Sequence, residues 1–192
     1  MTRDQIRRTA LTGAALALTV TWAIDAGAQE RVRWKMQSAF TSTLAHLGTS
    51  GVRFTENIDR LSGGNFELKF FEPGALVPAL ECFDAASKGS VESCWTTPGY
   101  HTGKYPALAF FTAVPFGPQY GEFFAWKKFG GGDELKNEIY AQNGLYSIDV
   151  FAIGPETSGW FRQEVASLES LKGLKMRFFG LGAKVMQKLG VS

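Results

Sequence analysis

Arg177 sits in Leu174-Lys-Met-Arg-Phe-Phe-Gly-Leu-Gly, bracketed by apolar residues on a predicted strand that runs out into glycines. Ligand sites of α/β sheets lie beyond the carboxyl ends of the strands. A guanidinium there is a planar fork of donors shaped for a carboxylate. The same place also suits an arginine that reaches to the sheet edge or pairs with a structural acid. A second group follows another apolar stretch. Gly154-Pro-Glu156-Thr-Ser-Gly-Trp160-Phe-Arg162 offers a carboxylate, two hydroxyls and an indole in one turn. It reads either as a polar rim with an aromatic wall or as a connection whose indole packs on the core. Trp95, Tyr100, His101 and Tyr105 crowd a third strand-end loop. Aromatics with a polar tip suit small-ligand pockets and ordinary cores alike. Gly180-Leu-Gly182 opens a dinucleotide fingerprint without completing it, because Val185 stands where Gly or Ala is required.

Catalytic chemistry has less to build on. His46 and His101 have no metal-ligand spacing around them, and no CxxC is present. Cys82 or Cys94 could meet His101, but a nucleophilic triad needs a third positioned group, and none suggests itself. An exported hydrolase is therefore the weaker alternative to a binding protein.

The elements that must position these residues alternate. Val32–Gln37 and Phe66–Phe71 alternate apolar and polar residues and read as strands, and Val91–Thr96 reads as a third. Helices are predicted from Thr43 or Leu44 to Leu61, over Pro78–Lys88, over Glu122–Phe129 and Asp133–Gln142, and from Ala183 to Leu189. Leu145–Ile153 and Leu174–Phe179 read as two further strands, while Phe110–Phe116 is strand or loop. The order implies an α/β sheet with helices on its faces. A final strand–helix pair cannot cover its own apolar face, so the chain is expected to be the first part of a longer protein.

The N-terminus gives the destination. Arg3, Arg7 and Arg8 precede an apolar stretch from Ala10 to Ile24, then Ala26-Gly-Ala28. That is a secretory signal, with cleavage expected after Ala28; the stretch is shorter than a bilayer span and interrupted by Thr. The remaining 164 residues carry 17 basic and 16 acidic side chains. This near-balance argues against a nucleic-acid partner. Export permits a disulfide between Cys82 and Cys94; a bridge and two buried thiols both remain open on the sequence.

Taken in order, several segments resemble a known family. They are the leader, Trp34-Lys-Met-Gln-Ser-Ala-Phe40 with Thr43-Leu44, Glu72-Pro-Gly-Ala-Leu-Val-Pro78, Phe83-Asp-Ala, Ala113-Val-Pro-Phe-Gly-Pro118, Gly159-Trp-Phe-Arg162 and Leu171-Lys-Gly-Leu-Lys-Met-Arg177. The set is similar to the DctP-type substrate-binding proteins of TRAP transporters, closest to the branch that binds 2-oxo acids. The resemblance implies a two-lobe periplasmic-binding-protein-like α/β architecture. Residues 1–28 would be the signal, 29–150 the first lobe, and 151–192 the hinge and an incomplete second lobe. It also implies a non-enzymatic periplasmic receptor that captures a small carboxylate and hands it to the membrane subunits of the transporter, with a homodimer left open. Arg177 matches the family's carboxylate-pairing arginine. The substrate-binding set implied is Arg177, Glu156, Trp160, Tyr100, Trp95 and Phe40. Glu156 stands where the 2-oxo-acid branch has a Gln that contacts ligand and a sodium ion; a carboxylate there could ligate sodium or calcium and would repel an anion without one. No other cofactor is implied. A chain lacking the rest of the second lobe is expected to bind poorly, so a non-binding fragment of the receptor is the further alternative.

Overall fold

β1 (Val32–Ser38) alternates side chains across a pleated strand and ends in its most buried residues, Met36, Gln37 and Ser38. The computed structural model describes residues 31–154, 157, 159–178 and 180–192. The predicted leader and Glu156 lie outside these. β1 runs parallel to β2 (Phe66–Phe71), with Val32 opposite Phe66 and Gln37 opposite Phe71. On its other side it runs parallel to β3 (Ser93–Trp95), with Ser38 opposite Trp95. The sheet order is β2-β1-β3.

Parallel neighbours need crossovers, supplied by α1 (Leu47–Leu61) and α2 (Cys82–Ser87). α1 starts later than its sequence suggests, because the chain turns sharply at His46, whose φ is 62°. Its inner face carries Gly51, where an added Cβ would stand 2.9 Å from the Phe70 ring and 3.0 Å from the Trp95 indole. That close approach lets Met36, Phe40, Leu68 and Trp95 form one core cluster, with Phe54 and Ile58 of α1 packed on it.

A second cluster, Phe83, Leu108, Phe111 and Tyr140, joins α2 to α3 (Tyr120–Phe129) and α4 (Gly132–Ala141). α3 opens with a reciprocal cap in which Glu122 accepts the Gln119 N–H at 3.2 Å. The two cysteines form a disulfide, Cα–Cα 6.0 Å, that ties α2 to β3.

Two expected strands pair differently. Leu145–Ile153 belongs to no ladder among the described residues; scattered backbone and side-chain contacts fasten it to the helices and to Trp95 instead. Leu145 N–H donates to Tyr140 at 3.0 Å, Ser147 N–H to the Asn137 side chain at 2.8 Å, and the Phe151 ring stacks on Trp95 at 5.8 Å. Asp149 accepts from Lys136 at 2.8 Å, and Lys127 holds its other oxygen. The alternation holds over its first half: Leu145, Ser147 and Asp149 anchor inward, while Tyr146 and Ile148 face out. What is missing is a neighbouring strand. Of the other expected strand, the described residues 174–178 are in no ladder, but Ser192 N–H donates to Leu174 and Met176 N–H to Ser192, at 2.8 and 3.0 Å. These bonds begin a parallel pairing across α5 (Gly180–Lys188).

Asp133 completes the charged cluster, 3.4 Å from Lys127 and 3.6 Å from Lys136, and 2.5 Å from Lys128. Burial opposes its ionisation, yet the three ammoniums pull its carboxyl down to about 2. Burial pushes the Lys136 ammonium below its usual range, against the pull of Asp149.

Candidate ligand-binding site

All three strands end on the same side of the sheet, and the chain leaving each one supplies a wall of a single cavity of about 320 Å³. After β1, Ser38 folds the chain back on itself: its hydroxyl donates to the Phe40 carbonyl at 2.7 Å and accepts the Phe40 N–H at 3.0 Å. This presents Ala39 to the cavity.

After β2, a loop without regular structure is held by one buried side chain. Gln37 donates to the Glu72 carbonyl at 2.8 Å and accepts the Leu76 N–H at 3.0 Å. The 3-10 turn Ala79–Glu81 that follows presents Ala79 and Leu80. After β3, the 3-10 turn Pro98–His101 presents Gly99 and Tyr100. The last wall is Arg177, Phe178 and Gly180, at the entrance to α5. Gly182 is needed there, since an added Cβ would lie 2.6 Å from the Phe178 ring.

Arg177 is exposed on the cavity wall, and no acidic side chain of the described residues forms an ion pair with it. The N-terminal end of α5 adds the partial positive charge of free backbone N–H groups beside it. The opposite walls are small, apolar or aromatic. Such a site can take one anionic group on the guanidinium and lay a short uncharged body against Leu80 and Tyr100.

The residues singled out in the sequence are distributed unequally. Arg177 and Tyr100 line the cavity together. Phe40 stands behind Tyr100, ring centroids 5.9 Å apart, and is buried. Trp95 is buried under α1, where its indole N–H donates to the Leu47 carbonyl at 2.7 Å. Trp160 points to solvent, outside the cavity lining. His101 is buried against Phe83 at 5.0 Å, and burial lowers its pKa, so the ring is neutral at pH 7. Tyr105 donates to Asn143 at 2.6 Å. Ala79, Leu80 and Gly99 are not singled out by residue type; only their place after a strand end marks them, and Phe178 comes with its neighbour Arg177.

Residues 37–192 match the profile of the bacterial extracellular solute-binding protein family 7, DctP. The chain belongs to that family. It is 37% identical, over 99% of its length and 53% of the relative's, to a monocarboxylate 2-oxoacid-binding periplasmic protein of Nostoc sp. strain PCC 7120. The TRAP periplasmic solute-binding protein of Pseudoalteromonas atlantica T6c, solved with bound sodium and pyruvate, shares 33% identity at a TM-score of 0.80, covering 84% of this chain and 49% of that one. That of Colwellia psychrerythraea, solved with bound calcium and pyruvate, shares 32% identity at the same TM-score and coverage. The chain thus spans about half the length of the DctP relatives it matches. Its α/β fold is that of TRAP solute-binding proteins.

A calcium ion, as held by the Colwellia relative, takes six to eight oxygen ligands. Among the described residues no group of three His, Cys, Asp or Glu side chains could hold a metal ion. Among the described residues no helix is long and apolar enough to cross a membrane.

Proposed function

We propose that this DctP chain carries the first lobe, residues 29–150, and the start of the second, residues 151–192, of a periplasmic receptor for a small 2-oxo monocarboxylate. The receptor releases its ligand to TRAP membrane subunits and catalyses nothing. The reading rests above all on Arg177, a guanidinium unpaired among the described residues, facing a cavity off the strand ends. The 2-oxoacid and pyruvate named for the Nostoc, Pseudoalteromonas and Colwellia proteins supply the ligand class. Glu156 is the side chain of this chain we assign to a sodium or calcium ion, together with backbone carbonyls; when bound, the ion would offset the repulsion between that carboxylate and the ligand's. Trp160 would serve as a wall once the rest of the second lobe is in place around it. The leader, residues 1–28, places the receptor in the periplasm.

A carboxylate on Arg177 contributes about 1.5–3 kcal/mol net, whereas micromolar affinity needs about 8 kcal/mol. The apolar walls and closure of a covering lobe must supply the difference. The test is calorimetric titration of pyruvate and longer 2-oxo acids, with sodium or calcium, into this chain alone and into this chain joined to the remaining half of the Nostoc relative. Expected is weak or no binding to the chain alone, and micromolar binding to the joined protein that disappears in Arg177→Ala. Undiminished binding in Arg177→Ala would remove the guanidinium from the site.

A further inference from the structure

The two walls that face Arg177 hang from the two ends of the disulfide. Leu80 lies two residues before Cys82, and Gly99 five residues after Cys94. Away from the bridge, Phe83 of α2 packs on His101 and Tyr105, Lys104 pairs with Asp84, and the Glu72 carboxylate accepts the Ser42 N–H. The loop from Glu72 to Pro78 pairs with no strand; Gln37 holds it by its side chain. α2 is only six residues long and has no side-chain cap. On the face of α2 opposite Phe83 the core consists of Cys82, Ala85 and Val91, with Val77, Ala86 and Cys94 packed around them. Alanines and valines bury little area each, so the bridge is itself the centre of this small core. The Cys82 sulfur also touches the Gln37 carbonyl at 3.5 Å, linking the bridge to the side chain that holds the loop.

We propose that the Cys82–Cys94 disulfide is a strut that sets the spacing of the Leu80 and Tyr100 walls, and so makes the cavity's shape depend on the redox state of this pair. Opening the bridge takes two electrons and two protons from a dithiol, which closes to its own disulfide and leaves two protein thiols. The β1–β2 pairing does not depend on the bridge, because neither cysteine belongs to it; Cys94 lies on β3, opposite Gln37. The consequence for ligand capture rests on the cavity being the ligand site; the strut itself does not.

The experiment is hydrogen exchange on this chain at pH 7, oxidised, treated with dithiothreitol, and as Cys82→Ala/Cys94→Ala. Expected is at least about tenfold faster exchange in peptides covering residues 76–83 and 96–103, with the β1 and β2 peptides unchanged, as for a local opening. Equal protection of both walls in all three forms would overturn the proposal. So would uniform loss of protection across the chain, which would make the bridge a global staple. A parallel titration of pyruvate into the oxidised and reduced forms of the Nostoc-completed protein separates the two readings. Wall loosening without binding in either form would refute the ligand assignment and leave the strut standing.

Discussion

Asp149 accepts a hydrogen bond from both Lys127 and Lys136, residues 5% and 1% exposed. Asp149→Asn keeps the size and removes the charge, leaving three ammoniums facing Asp133 alone. Removing one partner of a buried ion pair costs about 3–5 kcal/mol, because the other charge stays buried without compensation. Asp149 is 34% exposed, so water reaches the gap and the low end applies, about 3 kcal/mol. In urea, at a slope of about 2 kcal/mol per molar, the midpoint should fall by about 1.5 M. Lys136→Met supplies the contrast. The methionine fills the buried stem, Lys127 still holds Asp149, and the cluster becomes neutral, so the loss should be under about 1 kcal/mol. Equilibrium unfolding at pH 7, followed by tryptophan fluorescence, reads both. A larger loss for Lys136→Met than for Asp149→Asn would refute the claim that the carboxylate neutralises two buried cations.

Gly51→Ala should lower stability by about 1–3 kcal/mol through overpacking against Phe70 and Trp95; Gly103→Ala, whose added methyl meets nothing within 4 Å, should change the melting temperature little. His101, whose pKa burial lowers from 6.5 against the pull of Asp84, binds fewer protons folded than unfolded, so stability should fall as pH drops below 6.5, and His101→Gln should flatten that slope in melts between pH 7 and 5. The carboxyl of Asp133, held at about 2 against 3.8, acts lower: its contribution is full above 3.8 and is lost as pH falls toward 2, so the two effects occupy separate windows.

The alternating parallel sheet was legible because each of its strands carries its own period and each crossover its own stop signal. Val32–Gln37 and Phe66–Phe71 pair residue for residue as their patterns imply. The elements that differed did so where tertiary contact decided the outcome. Leu145–Ile153 has a strand's alternation, but its inward side is written in polar residues, Ser147 and Asp149, whose partners lie on α3 and α4. Nothing in a local window shows that a lysine twenty-two residues earlier is waiting for that carboxylate. The true start of α1 was hidden in the same way, by a positive φ at His46 that no residue type announces.

For the site, topology was the better guide and residue chemistry the poorer one. Position after a strand end brings Ala39, Leu80 and Tyr100 to the cavity, because parallel strands all deliver their following loops to one edge. Arg177, on a segment outside that ladder, was singled out for its charge among apolar neighbours, and it reaches the same cavity from the entrance to α5. An indole carries no such constraint. Trp95 ends a strand as Ser38 does, yet its N–H is taken by Leu47 and its ring by Phe151. Gly51 decides this. Removing the side chain at one position of α1 opens a slot for a ring, and the nearest large ring fills it. An aromatic at a strand end therefore belongs to a core or to a ligand according to what the facing helix lacks, a fact written forty-four residues away from the tryptophan itself.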